Sequence, residues 1–270
     1  MTHMNILFDN VDLDSSTGPN SFASKLVRSI VSNSSRFDIT GQIFTLPPEN
    51  PVDKLDLQLS FIHSFHEDKE VPIIQRLDGI YFNSLQDWKS MNAPIRETYE
   101  KAAGVIFQSR FNKLLTEHYF GKKEHSVVIN NGAMLEEIEK IPVNDSPELD
   151  SFENIWVCAS SWRPHKRLLE NVRYFMENSG PKDCLVIAGN NAPNINVDKR
   201  IFYAGHLNWE DLISLYKRAK YFIHLALMDH CPNVVVDARA SGCKIICSSS
   251  GGTKEIAGDN SVIIEDMEWD

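Results

Sequence analysis

The sequence predicts an α/β fold made of two parallel-sheet domains. Three observations carry this. Short apolar strands alternate with helical patterns from Asn5 to Ile129, an acidic, proline-containing stretch follows, and the alternation resumes at Ile155. Alternation of this kind, with apolar strands, argues for parallel sheets covered on both faces. The expected boundaries are 1–133 for the first domain, 134–152 for a linker and 153–270 for the second domain. Two such domains place a binding cleft at the carboxyl ends of their sheets.

The first domain opens with a strand, Asn5 to Asp9, which runs into a polar loop from Asn10 to Asn20 with Gly18-Pro19-Asn20 as its turn. Phe22, Leu26, Val27 and Ile30 have helical spacing, so residues 21–31 read as a helix. Ile39 to Phe44 and Leu55 to Phe61 are the next strands, the latter followed by His63 and His66. Val71 to Gln75 is a further strand, Pro94 to Ala103 a helix, Val105 to Gln108 a strand and Arg110 to Tyr119 a helix. Ser126 to Ile129 ends the set at Asn130-Asn131-Gly132. Residues 134–153, with Glu136, Glu137, Glu139, Pro142, Asp145, Pro147, Glu148 and Asp150, read as an interdomain linker.

The second domain begins with strand Ile155 to Ala159 and a helix from about His165 to Glu177. Strands Cys184 to Ala188 and Ile201 to Tyr203 follow. Asn208 caps a helix with Glu210 and Asp211 in its first turn. Tyr221 to Leu227 is the strand that delivers Asp229, Cys243 to Cys247 a short buried strand, and Ser261 to Ile264 the last.

Composition narrows the function classes. Of the 270 residues, 42% are apolar and 24% charged, as in a soluble globular protein with ample core. No stretch approaches the roughly 18–20 apolar residues of a membrane helix. The N-terminus lacks the pattern of a signal peptide, and five cysteines without a Cys-x-x-Cys pair make neither a disulfide nor a zinc framework. A cytoplasmic location is the expectation. A net charge of −10 disfavours nucleic acid as partner. It equally disfavours broad adhesion to anionic lipid, while a local basic patch leaves room for peripheral membrane contact.

The most informative segment is Asp229-His230-Cys231-Pro232-Asn233-Val234-Val235-Val236-Asp237-Ala238-Arg239-Ala240-Ser241-Gly242. Pro232 is preorganised for the start of a helix and Asn233 is a favoured N-cap. A helix N-terminus between Asp229 and Asp237 suits a phosphate, with the carboxylates free to grip hydroxyls on either side. A sugar–diphosphate–nucleoside has hydroxyls at both ends of such a diphosphate. The same stretch also reads as a buried α/β helix with a polar start, since spaced acids are common on solvated helix faces. What tips the balance is the order downstream, Ser241-Gly242, a strand, then Ser248-Ser249-Ser250-Gly251-Gly252-Thr253-Lys254-Glu255.

Together these features resemble the Glu-x7-Glu and Gly-Gly motifs of family 4 glycosyltransferases, retaining enzymes of the GT-B fold, which has two Rossmann-like domains facing each other across a cleft. The closest branch carries Cys-Pro-Asn, and here Asp replaces both Glu residues, one methylene shorter each. The resemblance implies that Asp229 contacts the transferred sugar, with His230 as a rival, and that Asp237 holds the nucleoside ribose. It implies that the backbone from Cys231 through Pro232 to Asn233 and Val234 holds phosphate and sugar oxygens, with the amides of Cys231, Asn233 and Val234 as the donors, and that Gly251, Gly252 and Thr253 let backbone approach the sugar. Glu255 is expected to cap or brace. Lys166 matches the family's phosphate-binding lysine, and Arg163 stands in for an arginine whose usual place falls on Ser161. The alternative for these cations is an exposed helix start.

In the first domain, Gly18 is similar to the glycine of the family's donor-phosphate loop, with Asn20 beside it. His63 or His66 would match a histidine facing the donor sugar, with a hydrogen-bonded structural histidine as the alternative. Arg76 and Asp78 sit on a loop that would face the acceptor. No metal is expected, because Asp12 and Asp14 have no nameable partners and the resemblance implies metal-free catalysis. No cofactor is expected beyond the donor substrate. The function expected is transfer of a hexose-type sugar from a nucleoside diphosphate to a carbohydrate or glycan-lipid hydroxyl, with retention of configuration. A non-catalytic nucleotide-sugar-binding module or partner subunit is the alternative, and a nucleotide-sugar epimerase a more distant one. Relatives continue past the Gly-Gly motif with helices that brace the first domain. Here Asp270 follows soon after, so a compact member or weaker closure is expected.

Overall fold

Strands buried on both faces need apolar side chains at consecutive positions, and helices that cover them need an apolar stripe. The computed structural model meets both requirements in two units, Met1–Asn131 and Gly132–Asp270, each with its own core. It describes residues 2–15, 17–33, 39–47, 54–66, 68–82, 86–193, 195 and 198–267, so Ser16 of the expected first loop lies outside the described residues.

The first unit runs β1 (Thr2–His3), β2 (Ile6–Asp9), α1 (Gly18–Ser32), β3 (Ile39–Thr40), β4 (Ile43–Phe44), β5 (Leu57–Phe61), β6 (Ile73–Leu77), α2 (Trp88–Lys101), β7 (Gly104–Phe107), α3 (Arg110–Phe120) and β8 (Ser126–Val128). Its six-stranded sheet has the order β4-β2-β5-β6-β7-β8 and every pairing in it is parallel. β1 and β3 pair separately. Phe8, Ala23, Leu59 and Phe61 form a core between α1 and the sheet.

The second unit runs α4 (Leu135–Lys140), β9 (Asn154–Ala159), a 3-10 turn (Pro164–Lys166), α5 (Leu168–Asn178), β10 (Asp183–Ala188), β11 (Ile201–Gly205), α6 (Trp209–Arg218), β12 (Tyr221–His224), α7 (Asn233–Ala240), β13 (Lys244–Ser248), α8 (Thr253–Ile256) and β14 (Val262–Ile264). The sheet order is β11-β10-β9-β12-β13-β14, again all parallel. One side packs Val157, Val186, Phe222, Val235 and Ile245, and the other Trp156, Phe175, Leu185, Ile223 and Ile246. Among the described residues, no helix is long and apolar enough to cross a membrane.

Several expected elements shift. Gly18-Pro19-Asn20 is the first turn of α1, because proline lacks the amide that a first turn leaves unused. The strand expected over 39–44 breaks into β3 and β4. α2 starts earlier than Pro94, at Trp88, because the Asp87 side chain caps it by accepting from the Ser90 amide at 3.2 Å. The helix expected from His165 opens as a 3-10 turn and restarts at Leu168, since Arg167 between them is left-handed at φ 50°.

Residues 134–152, read from sequence as a linker, are built into the second unit. Ile138 of α4 and Leu149 are buried in its core. The Asn144 amide donates to Ser214 Oγ at 2.7 Å, and Arg218 Nη1 to the Asn144 carbonyl at 2.9 Å. The acidic, proline-bearing composition describes the outer face of this segment, while two apolar residues anchor the inner one.

Candidate active site

In an open parallel sheet, ligands bind outside the carboxyl ends of the strands at the point where strand order reverses. In the second unit that point lies between β9 and β12, which are sheet neighbours though two strands intervene in sequence. The loops leaving these two strands carry Lys166 and Asp229.

Trp162 anchors the β9 loop. It is buried, its amide donates to the Asn190 carbonyl at 3.0 Å and its indole to the Ala188 carbonyl at 2.9 Å. Arg163 is exposed, and its carbonyl accepts from the Lys166 amide at 2.8 Å to close the 3-10 turn. Asn171 of α5 joins this loop to the next. Its side-chain amide donates to the Arg167 carbonyl at 2.7 Å and its oxygen accepts from the Leu225 amide at 3.1 Å. The Leu227 amide donates to the His165 carbonyl at 2.8 Å, so the two loops are hydrogen-bonded side by side.

Between them sits a charge cluster. Lys166 Nζ forms an ion pair with Asp229 Oδ2. His224 Nε2 lies 2.9 Å from the same oxygen, and the His230 amide donates to Asp229 Oδ1 at 3.0 Å. Burial alone would raise the Asp229 pKa, but the Lys166 ammonium and the His224 hydrogen bond together hold it well below the usual carboxylate range. Burial lowers the basicity of His224, the bond to Asp229 partly opposing it. Burial also pushes His230 down to about 4, against the pull of Asp229.

Gly251 and Gly252 fix the position of this acid. Asp229 and Gly251 form a parallel bridge, and the Gly252 amide donates to the Asp229 carbonyl at 2.7 Å. Gly251 has φ +80°, and a Cβ there would stand 2.6 Å from the Asp229 carbonyl oxygen. The absence of a side chain at Gly251 therefore admits the backbone of Asp229. The Thr253 side chain beside them is buried, and Glu255 lies within the short α8. Ser248 Oγ donates to Asp266 Oδ2 at 2.8 Å, and that carboxylate also pairs with Arg167, so one acid ties the Gly-Gly loop to the lysine loop.

Pro232, and not Asn233, is the N-cap of α7, with Asn233 and Val234 supplying the first-turn amides beyond buried Cys231. Asp237 lies further along the same helix. It is only 4% exposed, and its Oδ2 accepts from the Trp209 indole at 3.1 Å.

The first unit has its own reversal point, between β2 and β5, the strands that lead to Asp9 and to the two histidines. Asp9 is fully buried. Its carboxylate accepts from Gln58 Nε2 at 2.8 Å, Ser64 Oγ at 2.9 Å and the Phe65 amide at 2.9 Å, and it meets His66 Nδ1 at 2.7 Å. Burial raises the Asp9 pKa, but these bonds outweigh it and leave it lowered. His66 is thus held by a carboxylate, whereas His63 packs edge-on against Phe65 and its Nδ1 lies 3.4 Å from Asn10 Nδ2. Gly18 is exposed, and a Cβ added there would meet nothing within 4 Å among the described residues. Asn20 Oδ1 accepts from the Asp12 amide at 3.1 Å.

Arg76 lies inside the first unit. It is 2% exposed, paired with Asp78 and Asn131, and stacked 3.7 Å over the Phe22 ring, an internal clamp between α1 and the strand ends. Among the described residues no group of three or more His, Cys, Asp or Glu is placed to hold a metal ion.

Residues 148–270 match the family described as glycosyl transferases group 1. No curated protein matches the chain. Among solved structures, Anabaena HepE in complex with UDP and glucose superposes with a TM-score of 0.68 at 15% identity, over 98% of this chain and 87% of that one. A sucrose-phosphate synthase from Thermosynechococcus elongatus gives 0.71 at 14% identity, over 98% and 86%. A glycosyltransferase from Rickettsia africae gives 0.63 at 15%, over 98% and 85%. The fold is that of the GT-B glycosyltransferases, two Rossmann-like units of parallel sheet.

The structure brings Lys166, Asp229 and His230 together and leaves Asp237 with Trp209. Sequence reasoning missed His224, Asn171, Asp266 and Asp9. Each is a polar residue at or near a strand end or site-facing helix start, and an apolar run close by is the one signal the sequence offered.

Proposed function

We propose that the protein is a retaining, family 4-like glycosyltransferase that moves a hexose-type sugar from a nucleoside diphosphate to a hydroxyl acceptor without a bound metal. The observation that carries this reading is the Lys166–Asp229 pair at the strand-order reversal of the second unit, next in sequence to the first turn of α7. A cation and a helix start suit a diphosphate, and a carboxylate beside them suits a sugar hydroxyl. The family match over residues 148–270 supports the same assignment.

In the proposed reaction, the acceptor oxygen attacks the anomeric carbon from the face that the phosphate leaves. The bond from carbon to phosphate oxygen breaks as the new glycosidic bond forms, and the departing oxygen takes the acceptor proton. Lys166 and the α7 amides hold the charge that develops on the diphosphate. Lys166 must turn from Asp229 toward the phosphate to do so, which frees one face of the acid for the sugar.

The test is an assay of the purified protein with UDP-, GDP- and ADP-glucose, a broad acceptor panel and a metal chelator. The solved neighbour bound to UDP-glucose makes that donor the first to try. Turnover with the anomeric configuration kept is expected. Inverted product would refute retention, and loss of turnover on chelation would refute the metal-free route. Binding without turnover would favour the non-catalytic module.

A further inference from the structure

Asp229 Oδ2 receives two side-chain donors, and they differ in how far they can move. Lys166 carries its ammonium on a four-carbon stem at the end of a 3-10 turn. His224 is the last residue of β12, 4% exposed, paired with Cys247 in the ladder and stacked on Phe222 at 6.3 Å and 13°. Lys166 can swing to another anion, and His224 cannot.

We propose that His224 is a positioning residue, the donor that keeps the Asp229 carboxylate in place when Lys166 leaves it for an anionic ligand. The inference rests on the donor-binding reading of Lys166 and adds to it a residue that no motif marked. Without His224, the departure of Lys166 would leave a largely buried carboxylate with fewer donors, the His230 amide among them, and one held more loosely would not present a fixed oxygen to a hydroxyl. While Lys166 stays, the second donor is nearly redundant. The value of His224 therefore depends on where Lys166 is, and that dependence is measurable. For this bond the histidine carries its proton on Nε2. A glutamine places an amide N–H near the same point, and a phenylalanine keeps the ring and removes the donor.

The first arm needs no ligand. Thermal unfolding is measured for the wild type, His224→Phe, Lys166→Ala and the double variant. His224→Phe is expected to lower Tm by several degrees more in the Lys166→Ala background than alone, and by much less when His224→Gln replaces it. Additive losses would overturn the proposal, as would a glutamine variant no better than phenylalanine. The second arm measures binding of UDP, GDP, ADP and their glucose conjugates by calorimetry. His224→Phe is expected to weaken the sugar nucleotide about tenfold or more and His224→Gln to recover most of it, with the bare diphosphate little affected. Equal weakening of both ligands would overturn the proposal. If the wild type binds none of the six, the donor-binding reading fails, and the first arm still decides the role of His224.

Discussion

Lys166, Asp229 and Asp237 divide the expected chemistry between them, and the structure sharpens what each substitution should do. On the proposed reading Lys166 acts mainly on charge that grows as the phosphate leaves, so Lys166→Ala should lower turnover by about two orders of magnitude, the scale of one lost preorganised donor, roughly 3 kcal/mol. Asp229→Ala should damage transfer and leave affinity for the bare diphosphate nearly intact. Asp237→Ala should mostly raise the donor's apparent Michaelis constant. The Trp209 indole now bonds Asp237, so Trp209→Phe is a control, expected to change that constant far less if the carboxylate is what grips ribose. Calorimetry with the bare diphosphate separates the acids, and equal weakening by both would make His230 the better sugar ligand. His230 also has a pH signature. Its folded pKa is lowered to about 4 from an ordinary value near 6.5, with Asp229, Lys166 and His165 as its charged neighbours. The unfolded chain therefore binds more protons between those values, and stability is full above about 6.5 and falls as the pH drops toward 4. Comparing Tm at about pH 7.5 and pH 5, on either side of that ordinary value, the wild type should lose more than His230→Gln. Equal losses would show that the fold does not lower the basicity of His230. At this scale the sequence showed the acids and the lysine, because charged residues at strand ends are sparse. It did not show His224 or Asp9, whose meaning comes from partners 5 and 57 positions away.

Elements position these residues by how they end. β12 stops at His224, so Leu225 to Met228 leave the ladder, and the Leu227 amide turns to the His165 carbonyl. The Gly-Gly loop then presses against the backbone of Asp229, and a side chain at Gly251 would enter that contact. Gly251→Ala is expected to lower stability by about 2 kcal/mol, from the left-handed backbone and the clash together, and to weaken the sugar nucleotide through displaced Asp229. Gly18→Ala is the contrast. Its added methyl meets nothing within 4 Å among the described residues, so thermal stability should not fall, and any loss of donor binding would come from a ligand that approaches the α1 start. If Gly251→Ala unfolded at the wild-type temperature, the close approach would not hold in solution. Strand and helix existence was legible at this scale from apolar runs and spacing. The ends were less so, because a cap such as Asp87 or a left-handed residue such as Arg167 depends on local bonds that periodicity does not register.

At the scale of the molecule, the two sheets repeat one logic with different strand orders, and each places its polar strand-end residues where the order reverses. Alternation made the parallel sheets legible, yet it could not assign residues 134–152, whose charges read as linker and whose Ile138 and Leu149 belong to the second core. That assignment makes a prediction about autonomous folding. A chain beginning at Gly132 keeps α4, both buried aliphatics, and the carbonyls of Glu139, Ile141 and Asn144 that accept from Lys217 and Arg218. A chain beginning at Glu153 loses all of them. Removing two buried aliphatic side chains alone costs roughly 4 kcal/mol or more, a large share of the stability of a domain this size. Residues 132–270 should therefore unfold in one cooperative transition, and residues 153–270 at a much lower denaturant midpoint or without a transition at all. Equal midpoints would mean that the acidic segment is a tether after all, and that proteases should then cut it first.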